Sequence, residues 1–186
     1  MKIITQIFNN SKKRFVLTFL ITSITISTNQ IVAQDFTLDE QFSKIESYLV
    51  DMEKLNIDVS KAPVKWHLLH VLEVINGVYK EAKNSNPENY KSGSNIQWFY
   101  VATFGKIPRG KVTSPEGVNP SYDISEKQMN EALEKAKESV KNWKTLQKNS
   151  FYAHHVLLNL NKSKIKRFLK VHTNHHLKIV KDILKN

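Results

Sequence analysis

Apolar residues recur at steps of three and four in four stretches of this chain, and polar, turn-rich segments separate them. Such spacing places the apolar positions on one face of a helix. In the first stretch, Phe42, Ile45, Leu49 and Met52 follow Thr37-Leu-Asp-Glu40, which has the spacing of a capping box. It predicts a helix over 38–54 that stops near Asn56-Ile-Asp58. The second stretch begins at Pro63, suited to a first helical turn, and runs from Val64 to Tyr79 with apolar residues on more than one side. Gly77 weakens the end of this pattern. A second capping box, Ser125-Glu-Lys-Gln128, opens a third helix with Met129, Ala132, Ala136, Val140 and Trp143 on one face. Asn161 or Ser163 caps a fourth helix reaching nearly to Asn186.

Residues 84–124 break the periodicity. Asn84-Ser-Asn-Pro87, Ser92-Gly-Ser94, Pro108-Arg-Gly110, Pro115-Glu-Gly117 and Asn119-Pro120 are turn signals, and only Ile96 to Phe104 suits a short helix or an extended packed piece. Four amphipathic helices joined through one long crossover predict an all-α fold, a four-helix bundle in up-down-down-up order with the crossover between helices 2 and 3. Helices 2 and 4 then run antiparallel.

Candidate chemistry enters through the fourth helix. Its apolar stripe reads Ile165, Phe168, His172, His176, Ile179, Ile183, so two imidazoles stand where apolar side chains belong. Buried imidazoles need partners. A divalent metal is one partner that accepts two histidines at i and i+4, and Trp66-His67-Leu68-Leu69-His70 offers a third. His70 lies about 10 Å beyond Pro63, and His176 about 12 Å before the far end of its helix, at the α-helical rise. In antiparallel helices those levels agree. His70, His172 and His176 are therefore the candidate metal ligands, with zinc or nickel the ions best suited to three imidazoles and an open position. An open position is what catalysis requires, because a divalent ion acidifies water bound there.

The remaining candidates are weaker. His67 and His175 lie about a quarter turn off the ligand positions, where surface or supporting roles are common. The pair His154-His155 reads as structural or exposed, Glu73 as a surface group able to orient His70, and Trp66, Trp98 and Trp143 as anchors. Gly105-Lys-Ile-Pro-Arg109-Gly-Lys111 reads as a solvated basic loop, with Arg109 and Tyr100 as candidate contributors to a pocket.

The N-terminus changes the picture of compartment. Lys2, Lys12, Lys13 and Arg14 form a basic, acid-free leader, Phe15 to Ile26 is apolar, and Ala33 offers a small residue before a cleavage point. This order is that of a secretory signal peptide over 1–33, leaving a domain of 34–186 exported to the periplasm or exterior. The whole chain carries +11, with 28 basic and 17 acidic residues, and the leader supplies four of the basic ones. On an exported protein that basicity predicts a solvated surface or a weak attraction to anionic surfaces, and no nucleic-acid partner. With no cysteine, thiolate ligands, cysteine nucleophiles and disulfides are excluded.

The segments Leu158-Asn-Leu-Asn-Lys162 and Arg167-Phe-Leu-Lys-Val-His172-Thr-Asn-His-His176-Leu-Lys-Ile-Val180 resemble the DinB superfamily of four-helix metalloproteins, in particular an uncharacterised branch of unknown function. That branch carries HPxFGxL and H-x-x-H-H-L at these places. Phe104-Gly-Lys-Ile-Pro-Arg-Gly-Lys111 is similar to its crossover and Pro63 to Val71 to its first histidine segment. The resemblance covers most of 37–186. It implies one ligand from the second helix and two at i, i+4 from the fourth, which falls on His70, His172 and His176. This chain departs in reading His154-His155-Val-Leu-Leu158 for HPxFG, and Leu177-Lys178-Ile179-Val180 where a glycine-glutamine pair often follows the last histidine. The resemblance also implies thiol-cofactor transferases and isomerases, cofactors that an exported protein need not meet. The resulting expectation is a divalent-metal protein, a hydrolase or transferase of a small molecule. The alternative is a non-enzymatic secreted binding or structural protein. A homodimer stays open.

Overall fold

The computed structural model describes residues 35–110 and 120–185, which are mostly helical. The predicted signal segment 1–33 and the turn signals between 111 and 119 lie outside the described residues. Among the described residues, five α-helices and one two-stranded sheet follow in the order α1 (Asp39–Tyr48), α2 (Val64–Asn84), α3 (Ile96–Phe104), α4 (Glu126–Lys141), β1 (Phe151–His154), β2 (Leu158–Asn161) and α5 (Lys162–Ile183).

The helix starts follow their caps. Asn161 accepts from the Lys164 N–H at 3.0 Å, Ser125 from Gln128 at 3.2 Å and Asn95 from Trp98 at 2.8 Å. The first helix differs from expectation. Thr37 accepts from Asp39 N–H at 3.1 Å, Glu40 turns outward to pair with Lys44 at 2.6 Å, and Leu38 becomes the buried N-cap. This helix tightens into a 3-10 turn at Leu49–Asp51 instead of reaching residue 54. Pro63 sits one position earlier than expected, as the N-cap of α2, and α2 continues through Gly77 to Asn84. The segment 96–104 is helical and ends on Gly105, whose φ of +60° suits a residue without Cβ.

Helix α2 packs against both α4 and α5, and α1 and α3 pack against α5. Contacts along α1 give its direction. Phe36, just before it, meets Trp143 and Lys166, while Glu46 meets Lys137 and Gln41 meets Asn174. The helix α1 is therefore parallel to α5 and antiparallel to α4. The core is built from Ile45, Leu68, Leu72, Ile75, Met129, Ala136, Trp143, Leu169 and Val180, all at most 2% exposed. Leu133 joins the buried face of α4 more fully than Ala132 does.

One element is absent from the sequence reading, the hairpin of β1 and β2, which pairs Phe151 with Asn161 and His154 with Leu158. Strands of four residues give too few positions for a period of two to stand out. Leu158 has a φ of +63°, the left-handed backbone that glycine adopts most easily.

Candidate metal centre

The ligand candidates come from two facing helices. His67 and His70 lie on α2, and His172 and His176 on α5. His67 pairs with His176 at 3.1 Å between Nδ1 atoms, and His70 with His172 at 3.3 Å between Nε2 atoms. Rising numbers on α2 thus meet falling numbers on α5, so the two helices are antiparallel at this level. Ring centroids of His70, His172 and His176 are 4.7 to 5.2 Å apart in every pair. One potential ligand atom from each lies within 4.8 Å of the others, so the three could bind a metal ion.

The donor set fits such an ion. Two nitrogens bound at about 2.0–2.1 Å to a tetrahedral ion sit roughly 3.3 Å apart, and the His70–His172 separation already has that value. Ligation also needs neutral rings. Burial, reinforced by the neighbouring imidazoles, holds His172 and His176 well below the usual histidine value. His70 is 1% exposed and stacks on Trp66, with centroids 5.1 Å apart and planes 9° from parallel. Trp66 is anchored in turn by its Nε1–H donating to the Pro120 carbonyl at 3.1 Å.

His172 and His176 occupy the predicted stripe, yet both keep some accessible surface while Ile165, Phe168, Ile179 and Ile183 are buried. The reason is a cavity of about 850 Å³ whose floor includes His70, His172 and His176. Its walls include Val74 and Val78 of α2, Tyr100 and Val101 of α3, Ile107, and Phe168 of α5. The crossover therefore covers the site, as its length suggested.

His67 has a larger part than its position in the sequence indicated. Its Nε2 lies 2.9 Å from Ser60 Oγ, and its Nδ1 faces His176. An ion on His176 Nε2 would require the proton on Nδ1, which could then donate to His67 Nδ1, with His67 Nε2–H donating to Ser60. Such a relay would orient the His176 ring and fix its tautomer. Burial first, then His70, His175 and Arg109, push His67 down to about 4, consistent with a neutral ring. His67→Phe is expected to weaken zinc binding by roughly 10- to 100-fold with the helix content unchanged, as read by competition with a chromogenic chelator.

Other expectations sort differently. Tyr100 lines the cavity, but Arg109 does not, because its guanidinium pairs with Asp182 at 2.7 Å on the outside of α5. Together with the His175 hydrogen bond to the Ile107 backbone, and Arg167 donating to Ala102 O at 3.0 Å, it pins the crossover to α5. Glu73 is half-buried, with its pKa raised by burial, and is not part of the cavity wall. His154 is a wall residue rather than a mere surface one. The signal for it lay in sequence contact with His155 and an aromatic-rich neighbourhood, neither of which distinguishes a cavity wall from a loop.

Comparison with protein-family models, curated proteins and solved structures finds no match to this chain.

Proposed function

We propose that this chain is an exported, DinB-like four-helix bundle. In it His70, His172 and His176 hold a divalent ion, zinc or nickel, for hydrolysis or group transfer on a small molecule in the adjoining cavity. The helix directions support the bundle. With α1 parallel to α5, and both α2 and α4 antiparallel to one of that pair, α1, α2, α4 and α5 suit up-down-down-up order. The left-handed φ at Leu158 supports the DinB resemblance, since it falls where that branch has glycine. Export rests on the basic leader and the apolar run of residues 1–33. Among the described residues, no helix is long and apolar enough to cross a membrane.

The observation that carries the reading is three imidazoles from two antiparallel helices converging on the floor of an apolar cavity. A bound divalent ion would supply Lewis acidity there. The chain's own residues do the rest: His67 and Ser60 orient His176, Trp66 holds the plane of His70, and α3 with Ile107 walls the cavity. A non-enzymatic binding protein is favoured by one feature. Glu81 is the single acidic side chain among the described wall residues, so no carboxylate stands beside the three rings as a general base. Elemental analysis of tag-free protein should find close to one equivalent of zinc or nickel. Hydrolysis of an ester or amide panel that stops on chelation and returns with added metal separates the enzyme from the binding protein.

A further inference from the structure

The charge balance of the proposed centre selects its ligand, and this inference rests on the reading above. Three neutral imidazoles leave a divalent ion with its whole double charge. Among the described wall residues the one acidic group, the Glu81 carboxylate, is turned to the hairpin, where it accepts from Ala153 N–H at 3.4 Å. An anion entering the open side of the centre is therefore favoured over a neutral molecule of the same shape.

His154 supplies the second element. Its Nδ1 accepts from Val156 N–H at 3.0 Å and Leu157 N–H at 3.3 Å, so Nδ1 carries no proton. A neutral ring must then carry it on Nε2. Burial, then His155, hold the ring down to about 4, so it stays neutral and keeps this one tautomer through neutral pH. The ring is fixed edge-on to Phe168 at 4.9 Å and stacked on His155 at 4.7 Å. Phe168 in turn packs on His172 at 5.4 Å. Nε2 has no hydrogen-bond partner among the described residues, and His154 is part of the cavity wall. A fixed N–H donor and the histidine cluster thus share one cavity. Beyond them Val74, Val78, Val101 and Ile107 give the wall an apolar stretch along α2 and the crossover, and the volume suits a small-molecule body.

We propose that the cavity takes an amphiphilic monocarboxylate, its apolar body along α2 and α3 and its carboxylate between the three-histidine centre and the Nε2–H of His154. A carboxylate has two oxygens, one to neutralise the ion and one to accept from His154. An alcohol of the same length leaves the charge uncompensated.

Octanoate and octan-1-ol, titrated calorimetrically into the zinc-loaded protein, test this. Octanoate should bind at least tenfold more tightly than octan-1-ol, and chelation should shrink the difference to the share that His154 supplies. His154→Asn keeps an acceptor at the position of Nδ1 for the hairpin N–H groups but withdraws the donor. It should weaken octanoate by about tenfold or more, the worth of a hydrogen bond to a charged group, and octan-1-ol by less, with zinc content unchanged. Equal binding of the two ligands by the zinc-loaded wild type, a comparison that needs no variant, overturns the ligand class. Undiminished octanoate binding in a folded His154→Asn protein overturns the part given to His154. Zinc uptake is measured separately, so its failure is recognised as failure of the metal reading itself, and the ligand assignment falls with it.

Discussion

His176→Ala is expected to abolish stoichiometric metal retention while leaving the far-ultraviolet circular dichroism close to that of the wild type. Losing one of three imidazoles leaves a two-point site, and a loss on the order of 100-fold or more in affinity follows from the large binding energies of such centres. The same substitution removes the thermal effect of the metal. For the wild type, zinc at about a thousand times its dissociation constant adds roughly 4 kcal/mol. At this chain length that raises the melting temperature by about 10 °C. The variant should show almost none of this rise. Its metal-free stability should fall modestly, because the replaced ring packs on Trp66, His70 and His172 and pairs with His67. Calorimetric melts of both proteins, with and without zinc, read both effects. A His176→Ala protein that melts higher with zinc by the same margin as the wild type would count against the assignment.

The metal-free protein should also be acid-labile in a window that carboxylates do not explain. His67, His154 and His175 are each pushed down to about 4, chiefly by burial, and His172 and His176 lie well below their ordinary value of 6.5 for the same reason. In the unfolded chain these rings take up protons as the pH falls through 6.5, whereas in the folded chain they do not. The unfolded state therefore binds more protons throughout that window, and stability rises with pH. The contribution is complete above about pH 7 and is lost progressively from 6.5 toward 4, each ring contributing up to about 1.4 kcal/mol per pH unit. The carboxylates act lower. Asp182, held down first by its hydrogen bond to Arg109, loses its ion-pair contribution only below its ordinary value of 3.8. Melts in chelator should thus be flat from pH 8 to 7 and fall steeply below pH 6. A melting temperature that holds constant down to pH 4.5 would contradict the burial of these neutral rings.

The two histidine segments were legible because helical periodicity is long and redundant in them. Over 165–183 the steps of three and four repeat enough to place both rings on one face, and Pro63 fixes the level of His70 on the facing helix. Caps at Ser125 and Asn161 were legible for the same local reason, since a side chain three residues from an N–H needs no tertiary partner to be recognised. Tertiary partners decided the rest. His67 lies three residues before His70 and looks displaced from the ligand level. Only the approach of α5 brings its Nδ1 to His176, and only the turn before α2 brings Ser60 to its other side. Arg109 read as a loop cation open to a ligand, but its partner Asp182 is more than seventy residues away in the chain. The hairpin escaped because each strand is four residues long, and Leu158 takes up a backbone that its side chain gives no reason to expect. That same hairpin aims the backbone N–H groups of Val156 and Leu157 at His154, turning a ring that read as structural into a fixed donor on the cavity wall.

X-ray absorption at the zinc edge of tag-free, zinc-loaded protein tests the shared three-imidazole centre most directly. Nitrogen neighbours at about 2.0 Å with the outer-shell scattering of three imidazoles, falling to two in His176→Ala, are the predicted result. A shell of oxygen neighbours without imidazole scattering, or the same spectrum from His176→Ala, would contradict it.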